Sequence, residues 1–506
     1  MDAYADPTPG STAARRSVGR HDLAVAAGLC ACLLLVYGVL AQDMLYGDAE
    51  MMLRVFDPLG GPSRLWVLSL LVVVARALRA IGVGATPFES LRAVSTFAGA
   101  VGAAAVFLLA RGMGAGRRSS LAASLLLACA PAWVFFATTI EIHVLHAACF
   151  ALAACAVVFA PWQRPLLALL LTSLALPLVC LSHQTGPILG AGLLALVQVG
   201  RQRRGLAPLS LRSLCFGVGP VYLAVLLASF AWNTHLSGAP LSDMLGRNVE
   251  LVEFCSVPVT LSTFNDLWLA PLGVLLPVAI ASVLTGALVG WRAAMLVATV
   301  VPSFVFFTTW GVTERGGYAL PSAVALTASG ALLFSRFAAG GRLQVVTWLM
   351  VGLHAVLALV DLQLYQGPRL DDFTRGRSAV VRETLGSPCV LYSVNFRSLF
   401  IEFPGAREVN LYPRLLEAQR AQATPEEFAR DVFADIEADL EAGITVGLDL
   451  SSHEQLRIFS PLFLSYMEAL QERLGQELWV TRVDDTLWPL ERLRPRPPRG
   501  SELTHR

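Results

Sequence analysis

Long apolar runs, separated by short polar stretches, fill the sequence from residue 22 to residue 362. A run of about 17–25 apolar residues can cross the roughly 30 Å hydrocarbon core of a bilayer as one helix. Eleven runs of this kind predict transmembrane helices, at 22–41, 90–110, 119–139, 142–160, 165–182, 185–200, 210–231, 266–289, 293–311, 317–335 and 343–362. The pattern therefore predicts an α-helical polytopic membrane domain over 22–368, preceded by a disordered cytoplasmic segment, 1–21.

One further apolar run, Leu65–Ala75, is only about eleven residues long before Arg76 and Arg79 interrupt it. It is too short to cross the bilayer, and an arginine at the bilayer centre costs at least ~2.5–3.5 kcal/mol. We therefore predict that 63–82 is a helix on the outer membrane surface, inside a first external loop, 42–89. This choice fixes the side on which every later loop lies.

The distribution of arginines supports this membrane topology. With 63–82 on the surface, fourteen arginines fall in cytoplasmic segments and seven fall outside before the C-terminal segment, whereas a crossing helix gives eight inside and thirteen outside. Because cytoplasmic loops carry an excess of basic residues, the first arrangement is favoured. It predicts a cytoplasmic N-terminus and, since the number of spans is odd, an extracytoplasmic C-terminus.

The character of the chain changes at about residue 369, where the long apolar runs end. Strands are predicted at Cys389–Val394, Ile444–Leu450 and Glu477–Val483. A capping box at Thr424 begins one amphipathic helix, and Glu454–Leu474 predicts a second. The segment 369–492 is therefore expected to be a small extracytoplasmic α/β domain, followed by a loose tail, 493–506.

Composition agrees with a membrane protein, since 55 % of the residues are apolar, only 15 % are charged and the mean hydropathy is +0.61. All 38 lysine and arginine positions are arginine, which is typical of GC-rich coding and favours a bacterial plasma (inner) membrane. A net charge of +1 argues against a nucleic-acid partner. No cysteine spacing predicts zinc, and the sequence leaves open whether Cys255 and Cys389 pair.

Acidic residues gather directly after the first span, where Asp48 and Glu50 stand beside Arg54. A carboxylate at the membrane surface can take a proton from a hydroxyl or coordinate a cation, or it can be a solvated loop acid. The threading brings further polar groups to the same external face, namely Glu141, His143, His183, Glu314 and Arg315. Their convergence on one face favours an extracytoplasmic site.

Each of these groups also has a purely structural interpretation. His143 and His146 are three residues apart and share a helical face, which suits either a metal ion or two packed histidines. His183-Gln184-Thr185 suits a turn or a pocket for a polar headgroup. Arg315 suits bidentate phosphate binding or a surface pair with Glu314. Together, carboxylates, a guanidinium and aromatic residues at one membrane face suit a phosphate-linked substrate carried on a lipid.

At these residues the sequence resembles the GT-C glycosyltransferases, polytopic enzymes that use polyprenyl-phosphate sugars, and more specifically their bacterial protein O-mannosyltransferase-like branch. The acidic signature is Tyr46-Gly47-Asp48-Ala49-Glu50. Further matches are Asp57-Pro58-Leu59-Gly60-Gly61-Pro62, Ala130-Pro131-Ala132-Trp133, Glu141-Ile142-His143 and Ser182-His183-Gln184-Thr185, with weaker similarity over Tyr318–Pro321. The chain departs from the branch where Asp57 replaces a histidine, His143 a tyrosine and Ser182 an asparagine.

The resemblance implies that a sugar, with mannose as one candidate, is transferred with inversion from a polyprenyl-phosphate donor to a protein or glycan hydroxyl on the extracytoplasmic face. Asp48 would be the general base, with Glu50 and Glu141 in support. The implied substrate-binding residues are Arg54, His143, His183, Gln184, Arg315 and Tyr318. No metal ligand is assigned, although a divalent cation is compatible with the superfamily. The implied partners are the lipid-linked donor, the acceptor and membrane lipid.

Three other interpretations use the same residues. A transporter or flippase of a lipid-linked or polar solute would use the charged groups as a pathway, but the chain shows no internal repeat and its acids cluster at one face instead of the midplane. A polysaccharide polymerase or ligase would remain an enzyme with a different donor. A scaffold would bind through its external α/β domain alone.

Overall fold

The computed structural model describes residues 18–43, 49, 52, 70–84, 86–183, 185–237, 260–310, 314–337, 341–364, 379–393, 405–411, 414–415, 417–418, 421–449, 461–484 and 490–495. The chain divides into two compact units. Met1–Gln42 and Met52–Gly367 form the first, here called the transmembrane unit. Asp43–Met51 and Pro368–Arg506 form the second, here called the C-terminal unit.

Helices make up the transmembrane unit. They are α1 (Arg20–Val39), α2 (Leu70–Ala80), α3 (Pro87–Gly112), α4 (Arg117–Ala128), α5 (Pro131–Thr138), α6 (His143–Phe159), α7 (Pro165–Ser182), α8 (Gly190–Arg203), α9 (Gly219–Ser237), α10 (Leu261–Leu272), α11 (Leu275–Leu284), α12 (Gly290–Trp310), α13 (Leu320–Phe337) and α14 (Gly341–Leu364). Short 3₁₀ turns, Gly186–Leu189 and Glu314–Ala319, precede α8 and α13, and a π-helical turn, Leu214–Val218, precedes α9.

Each of the eleven predicted spans coincides with helical residues. Within the described ranges, seven helices are long and apolar enough to cross a membrane. The number is nine if the bent pairs α4–α5 (65°) and α10–α11 (89°) each count as one span. The other two predicted spans are α6, with 17 residues, and α8, with 14. The polytopic helical fold is confirmed, with two of its spans broken and two short.

The segment predicted to lie on the membrane surface contains α2, an 11-residue helix. At 1.5 Å per residue it is about 16 Å long, roughly half the thickness of the hydrocarbon core. Leu71, Val72 and Ala75 are buried against the unit, whereas Arg76 and Arg79 are exposed. The buried face of this amphipathic helix packs on the unit, and its exposed face carries the two arginines.

The longest helix, α3, lies at the centre of the unit. Thr86 caps it by accepting from the Glu89 amide, and the Glu89 carboxylate accepts from the Thr86 amide. Gly99 and Gly102 let neighbouring helices approach closely. A Cβ on Gly99 would lie 2.5 Å from Ala137 Cβ, and a Cβ on Gly102 would lie 2.9 Å from the Trp133 ring. Small residues at helix interfaces provide this close packing in membrane proteins.

The break between α10 and α11 is held by a buried histidine. Gly273 turns the chain with φ +54°, and a Cβ there would lie 2.4 Å from His354 Nε2. His354 Nε2 accepts from the Val274 amide at 2.9 Å, so its Nδ1–H donates to the Leu126 carbonyl at 3.0 Å. Both ring nitrogens are therefore satisfied, and this histidine joins three elements of the fold.

The two ends of α3 carry different polar groups. Near its start, the Ser95 hydroxyl and the backbone of Glu141 are hydrogen-bonded. Near its end, Arg111 binds Asp22 of α1. Sixteen residues, or about 24 Å, separate Ser95 from Arg111. The two sets therefore lie at opposite ends of the helix bundle. We call the end with Ser95 and Glu141 the histidine end, because His143 follows there, and the end with Arg111 and Asp22 the arginine end.

The C-terminal unit is built on a five-stranded sheet in the order β2-β1-β3-β5-β4. Its strands are β1 (Cys389–Ser393), β2 (Ala406–Asn410), β3 (Thr445–Asp449), β4 (Leu478–Asp484) and β5 (Leu490–Pro495). β2, β1 and β3 are parallel, with Ser393 opposite both Asn410 and Asp449, whereas β5 and β4 are antiparallel. The sheet continues to Pro495, past the boundary predicted at residue 492.

Two helices, α15 (Pro425–Glu441) and α16 (Pro461–Glu477), pack on this sheet through apolar faces that include Phe428, Ile436 and Leu470. The predicted capping box is present, since Thr424 Oγ1 accepts from the Glu427 amide and Glu427 accepts from the Thr424 amide. The residues before 461 that were predicted to begin the second helix lie outside the described residues. The three predicted strands coincide with β1, β3 and β4, whereas β2 and β5 were not predicted. Cys389 carries a free thiol, and Cys255 lies outside the described residues.

Candidate active site at the histidine end

Five of the nine predicted site residues are described by the structure, all in the transmembrane unit. They are Glu141, His143, His183, Arg315 and Tyr318. The other four predicted residues, Asp48, Glu50, Arg54 and Gln184, lie outside the described residues. The structure therefore shows the contacts of the predicted site residues at the ends of the helices.

His143 opens α6 and faces the turn before α13. Its Nε2 lies 2.7 Å from Glu314 Oε2, so the ring donates to the carboxylate. The imidazole is 3 % exposed, whereas the Glu314 side chain is 33 % exposed. A buried ring thus holds one oxygen of a carboxylate that still reaches the surface of the described residues.

The turn that carries Glu314 has an unusual backbone. Glu314 (φ 32°) and Arg315 (φ 50°) both adopt positive φ, and Gly316 follows at 76°. Left-handed conformations at residues other than glycine cost on the order of 1–3 kcal/mol each and persist only where the surroundings fix them. Here the surroundings are close on one side, because a Cβ on Gly316 would lie 2.3 Å from Pro271. In this conformation the adjacent side chains of Glu314 and Arg315 bind different partners, His143 and Asp361.

Arg315 binds the other side of the turn. Its Nη2 donates to Asp361 of α14, and its guanidinium lies over the Phe135 ring, 4.4 Å from the centroid. The two charged side chains are 27 % and 36 % exposed. A guanidinium with one face on an aromatic ring and its edge partly exposed is well oriented for a bidentate anion.

Gly317 fixes the position of His143. A Cβ at residue 317 would lie 2.4 Å from His143 Cδ2 and 2.6 Å from Cγ, closer than real Cβ contacts allow. The imidazole also meets Tyr318 edge-on, with ring centroids 4.6 Å apart, and Tyr318 stacks on Phe307 at 4.8 Å. The turn and the start of α6 therefore form one packed unit.

A second and third histidine extend this cluster. The His183 ring lies 5.8 Å from His143, 5.7 Å from Tyr318 and 5.2 Å from His146, measured between centroids. His183 Nδ1 accepts from the Thr185 amide at 3.2 Å, so in the neutral ring Nε2 carries the proton. The predicted residues His143, His183 and Tyr318 are thus brought together.

His146 has the opposite tautomer and an unused nitrogen. The Ser182 hydroxyl donates to the Val179 carbonyl, so Ser182 Oγ accepts from His146 Nδ1–H at 2.8 Å. In the neutral ring, Nε2 is then a bare acceptor, and this buried atom has no hydrogen-bond partner among the described residues. A buried polar atom without a partner is uncommon and costs free energy unless something binds it.

Glu141 lies just before this cluster and is 1 % exposed. Its Oε1 accepts from the Ile142 amide at 2.8 Å, and its backbone is hydrogen-bonded to Ser95. These contacts orient the chain that leads into His143. They suit the supporting role predicted for Glu141.

Three residues of this cluster were absent from the predicted site. They are Glu314, His146 and Asp361. Asp361 carried a usable signal, because it is the lone carboxylate in the apolar segment 343–362 and such residues are functional candidates by default. Among the described residues, no group of three histidine, cysteine or carboxylate side chains has the arrangement of a metal site.

Comparisons with known proteins place the fold. No protein-family model matches the chain, and no curated protein matches it. A crystal structure of ArnT from Cupriavidus metallidurans bound to undecaprenyl phosphate is similar over 93 % of this chain and 97 % of that chain, with 14 % identity and a TM-score of 0.54. The apo ArnT structure is similar over 94 % of this chain and 98 % of that chain, with 14 % identity and a TM-score of 0.55. At this identity the likeness concerns the fold alone, and the chain has the polytopic GT-C-like fold with a small C-terminal sheet domain.

Proposed function

We propose that this chain is an integral membrane glycosyltransferase that takes a sugar from a polyprenyl-phosphate donor. The fold supports this, because the ArnT structure that it resembles over almost its whole length binds undecaprenyl phosphate. The protein O-mannosyltransferase branch has no such support, and mannose stays one candidate sugar among others. The acceptor is a protein or glycan hydroxyl.

The observation that carries the proposal is the strained turn at Glu314 and Arg315. A backbone that is costly to form holds a carboxylate and a guanidinium side by side, each about one-third exposed. The guanidinium supplies planar donors that match phosphate oxygens. We assign Arg315 to the donor phosphate, where it stabilises the charge that develops as the phosphate leaves. Asp361 holds the guanidinium in place between turnovers.

The loop residues supply the proton transfer in this scheme. Asp48 accepts the proton of the acceptor hydroxyl, and the acceptor oxygen forms a bond to the anomeric carbon of the sugar. The bond between that carbon and the phosphate oxygen breaks, and polyprenyl phosphate leaves with the electron pair. Glu50 supports Asp48, and Arg54 assists Arg315 with the phosphate. Attack from the face opposite the leaving group inverts the anomeric centre.

The histidine cluster provides contacts for the sugar in this scheme. His183 offers an Nε2–H donor, and His146 offers an unpaired Nε2 acceptor, so the pair can bind one hydroxyl that accepts and one that donates. The partly exposed Tyr318 ring supplies an apolar surface for the pyranose ring, the buried His143 ring holds Tyr318 in place, and Gln184 adds an amide. Glu141 acts as a positioning residue through Ile142 and Ser95.

The proposed location is the bacterial plasma membrane, with the N-terminus in the cytoplasm and the histidine end at the extracytoplasmic face. The grouping of Arg111 and Arg117 at the opposite end of α3 supports this orientation, because cytoplasmic ends are rich in arginine. A cysteine introduced at the start of α6 and labelled from outside the cell tests it. Labelling of a residue near Arg117 instead would reverse the orientation.

The reaction is tested with purified full-length protein in nanodiscs and a panel of polyprenyl-phosphate sugars, with release of polyprenyl phosphate as the readout. We expect release with one donor, loss of release in Asp48→Asn with donor binding retained, and weakened donor binding in Arg315→Gln. Release by none of the panel, together with movement of a lipid-linked or polar solute across liposomes, would assign the same residues to a transporter.

A further inference from the structure

The arginine end of the transmembrane unit carries a cation, Arg203, that forms no ion pair with any carboxylate of the described residues. Helices α3, α6 and α8, which begin near the histidine end, all finish there, at Gly112, Phe159 and Arg203. The Arg203 guanidinium lies over the Phe159 ring, 4.4 Å from its centroid. Its Nη1 is buried and has no hydrogen-bond partner in the part of the chain that the structure describes. Nothing in the proposed reaction uses this group.

The neighbours of Arg203 are themselves cations. Arg204 and Arg111 both lie within electrostatic range of its guanidinium and repel it. The carboxylate bound to arginine at this end, as far as the described residues go, is Asp22, and it is shared by Arg111 and Arg117. One negative charge therefore faces several positive ones. Like charges held close together destabilise the fold unless an anion joins them.

Backbone carbonyls bind the two arginines beside Arg203. Arg204 donates to the Phe159 carbonyl at 2.7 Å, and Arg201 donates twice to the Ala207 carbonyl, at 2.9 and 3.2 Å. Phe159 is the last residue of α6, and Ala207 lies in the loop after α8, so both guanidiniums are held by backbone carbonyls. Arg203, on the same turn, makes no such contact with any described residue. Its guanidinium is therefore available to an external anion.

The adjacent surface indicates the kind of partner. Helix α7 begins six residues after Phe159, and Leu166, Leu170 and Leu174 follow one another at four-residue spacing on its surface. They are 83 %, 57 % and 65 % exposed, as expected of side chains that face acyl chains. We infer that the arginine end binds the headgroup of an anionic phospholipid, with its phosphate on Arg203 and its acyl chains along α7. This inference is independent of the proposed glycosyl transfer.

The inference is tested by native mass spectrometry of the purified full-length protein, offered equal amounts of phosphatidylglycerol and phosphatidylcholine. We expect the wild type to retain phosphatidylglycerol preferentially. Arg203→Gln should lower that preference about fivefold, the factor expected of one basic side chain at an anionic surface. Arg203→Lys should keep part of it. Arg201→Gln is the matched control and should leave the preference unchanged, because its guanidinium already binds a backbone carbonyl.

Three results would overturn the inference. They are a wild type without preference, an Arg203→Gln variant that keeps the full preference, and an Arg201→Gln variant that loses as much. The first requires no variant and so holds even if a substitution impairs folding. A parallel sample with inorganic phosphate separates the sources of the anion, since displacement of the lipid by millimolar phosphate would make a soluble anion the ligand.

Discussion

Two charged clusters lie at opposite ends of the transmembrane unit and use similar side chains in opposite ways. At the arginine end, Asp22 is 1 % exposed and accepts from Arg111 and Arg117. At the histidine end, Glu314 and Arg315 bind different partners and remain about one-third exposed. The first cluster directs its carboxylate wholly inward and ties three helix ends together. The second keeps its charges where a ligand can reach them.

The backbone makes the same distinction. Asp22 lies in the first turn of a regular helix, where its carboxylate also accepts from the Gly19 amide. Glu314 and Arg315 lie in consecutive left-handed conformations that regular structure would avoid. A fold has no need of such strain merely to pair charges, as Asp22 demonstrates. In this unit the strained backbone lies at the end whose charges remain partly exposed, and the regular backbone lies at the end whose carboxylate is buried.

The largest effect should come from breaking the closed cluster. Asp22→Asn leaves two guanidiniums without their anion, and removing one partner of a buried ion pair typically costs about 3–5 kcal/mol. Asp361→Asn is the matched change at the open cluster and should cost less than about 1 kcal/mol, since that pair is partly exposed. Thermal unfolding of both variants in detergent measures the difference. Equal losses of stability would remove the distinction between the two clusters.

The next effect concerns the turn and the histidine that it positions. Gly317→Ala should push the His143 ring away, because the new Cβ would lie 2.4 Å from Cδ2. A displacement of about 1 Å in a catalytic constellation can lower the rate by about 100-fold. Gly352→Ala on α14 is the control, since nothing lies within 4 Å of its Cβ. Single-turnover transfer assays measure the rates of both variants. Full activity in Gly317→Ala would show that the position of His143 does not affect the reaction.

The smallest expected effect is a loss of stability at alkaline pH, and it depends on Tyr392 in the C-terminal unit. Burial, with a hydrogen bond to Asp439, raises the pKa of Tyr392 well above its usual value near 10. Because the folded phenol holds its proton more tightly than the unfolded one, its contribution to stability is complete below about pH 10 and is lost as pH rises toward the folded pKa.

Comparison of the wild type with Tyr392→Phe isolates that contribution. The difference in melting temperature should be constant up to about pH 10 and narrow above it. Melting curves of the full-length protein recorded between neutral pH and pH 11 provide the measurement. Parallel curves over the whole range would show that Tyr392 does not couple folding to protonation.

Much of the fold was predictable because it depends on local pattern. Apolar runs predicted the position of every span, but 119–139 was predicted as one span, whereas the structure breaks it into α4 and α5 at Pro131. The sharper break at Gly273 was not predictable, since it depends on His354 from a distant helix. Strand β2 was missed because Ala406–Asn410 is an edge strand with two charged residues and no apolar alternation.

The candidate site was predictable only in part, for a related reason. Threading placed His143 and His183 at one end of the bundle, where the structure brings their rings within 5.8 Å. The partners of individual charges depend on tertiary contacts between residues far apart in sequence. His143 with Glu314, and Arg315 with Asp361, are separated by 171 and 46 residues. No periodicity or spacing encodes such pairs.

The strained turn is proposed to bind a phosphate carried on a lipid, and the affinity of the protein for undecaprenyl phosphate measures that binding. Binding to the full-length protein in nanodiscs should weaken about 10- to 100-fold in Arg315→Gln, as expected for loss of a charged hydrogen bond worth ~1.5–3 kcal/mol. It should stay unchanged or tighten in Asp361→Asn, which frees the guanidinium from its competitor. Equal affinity in the wild type and Arg315→Gln would contradict the account.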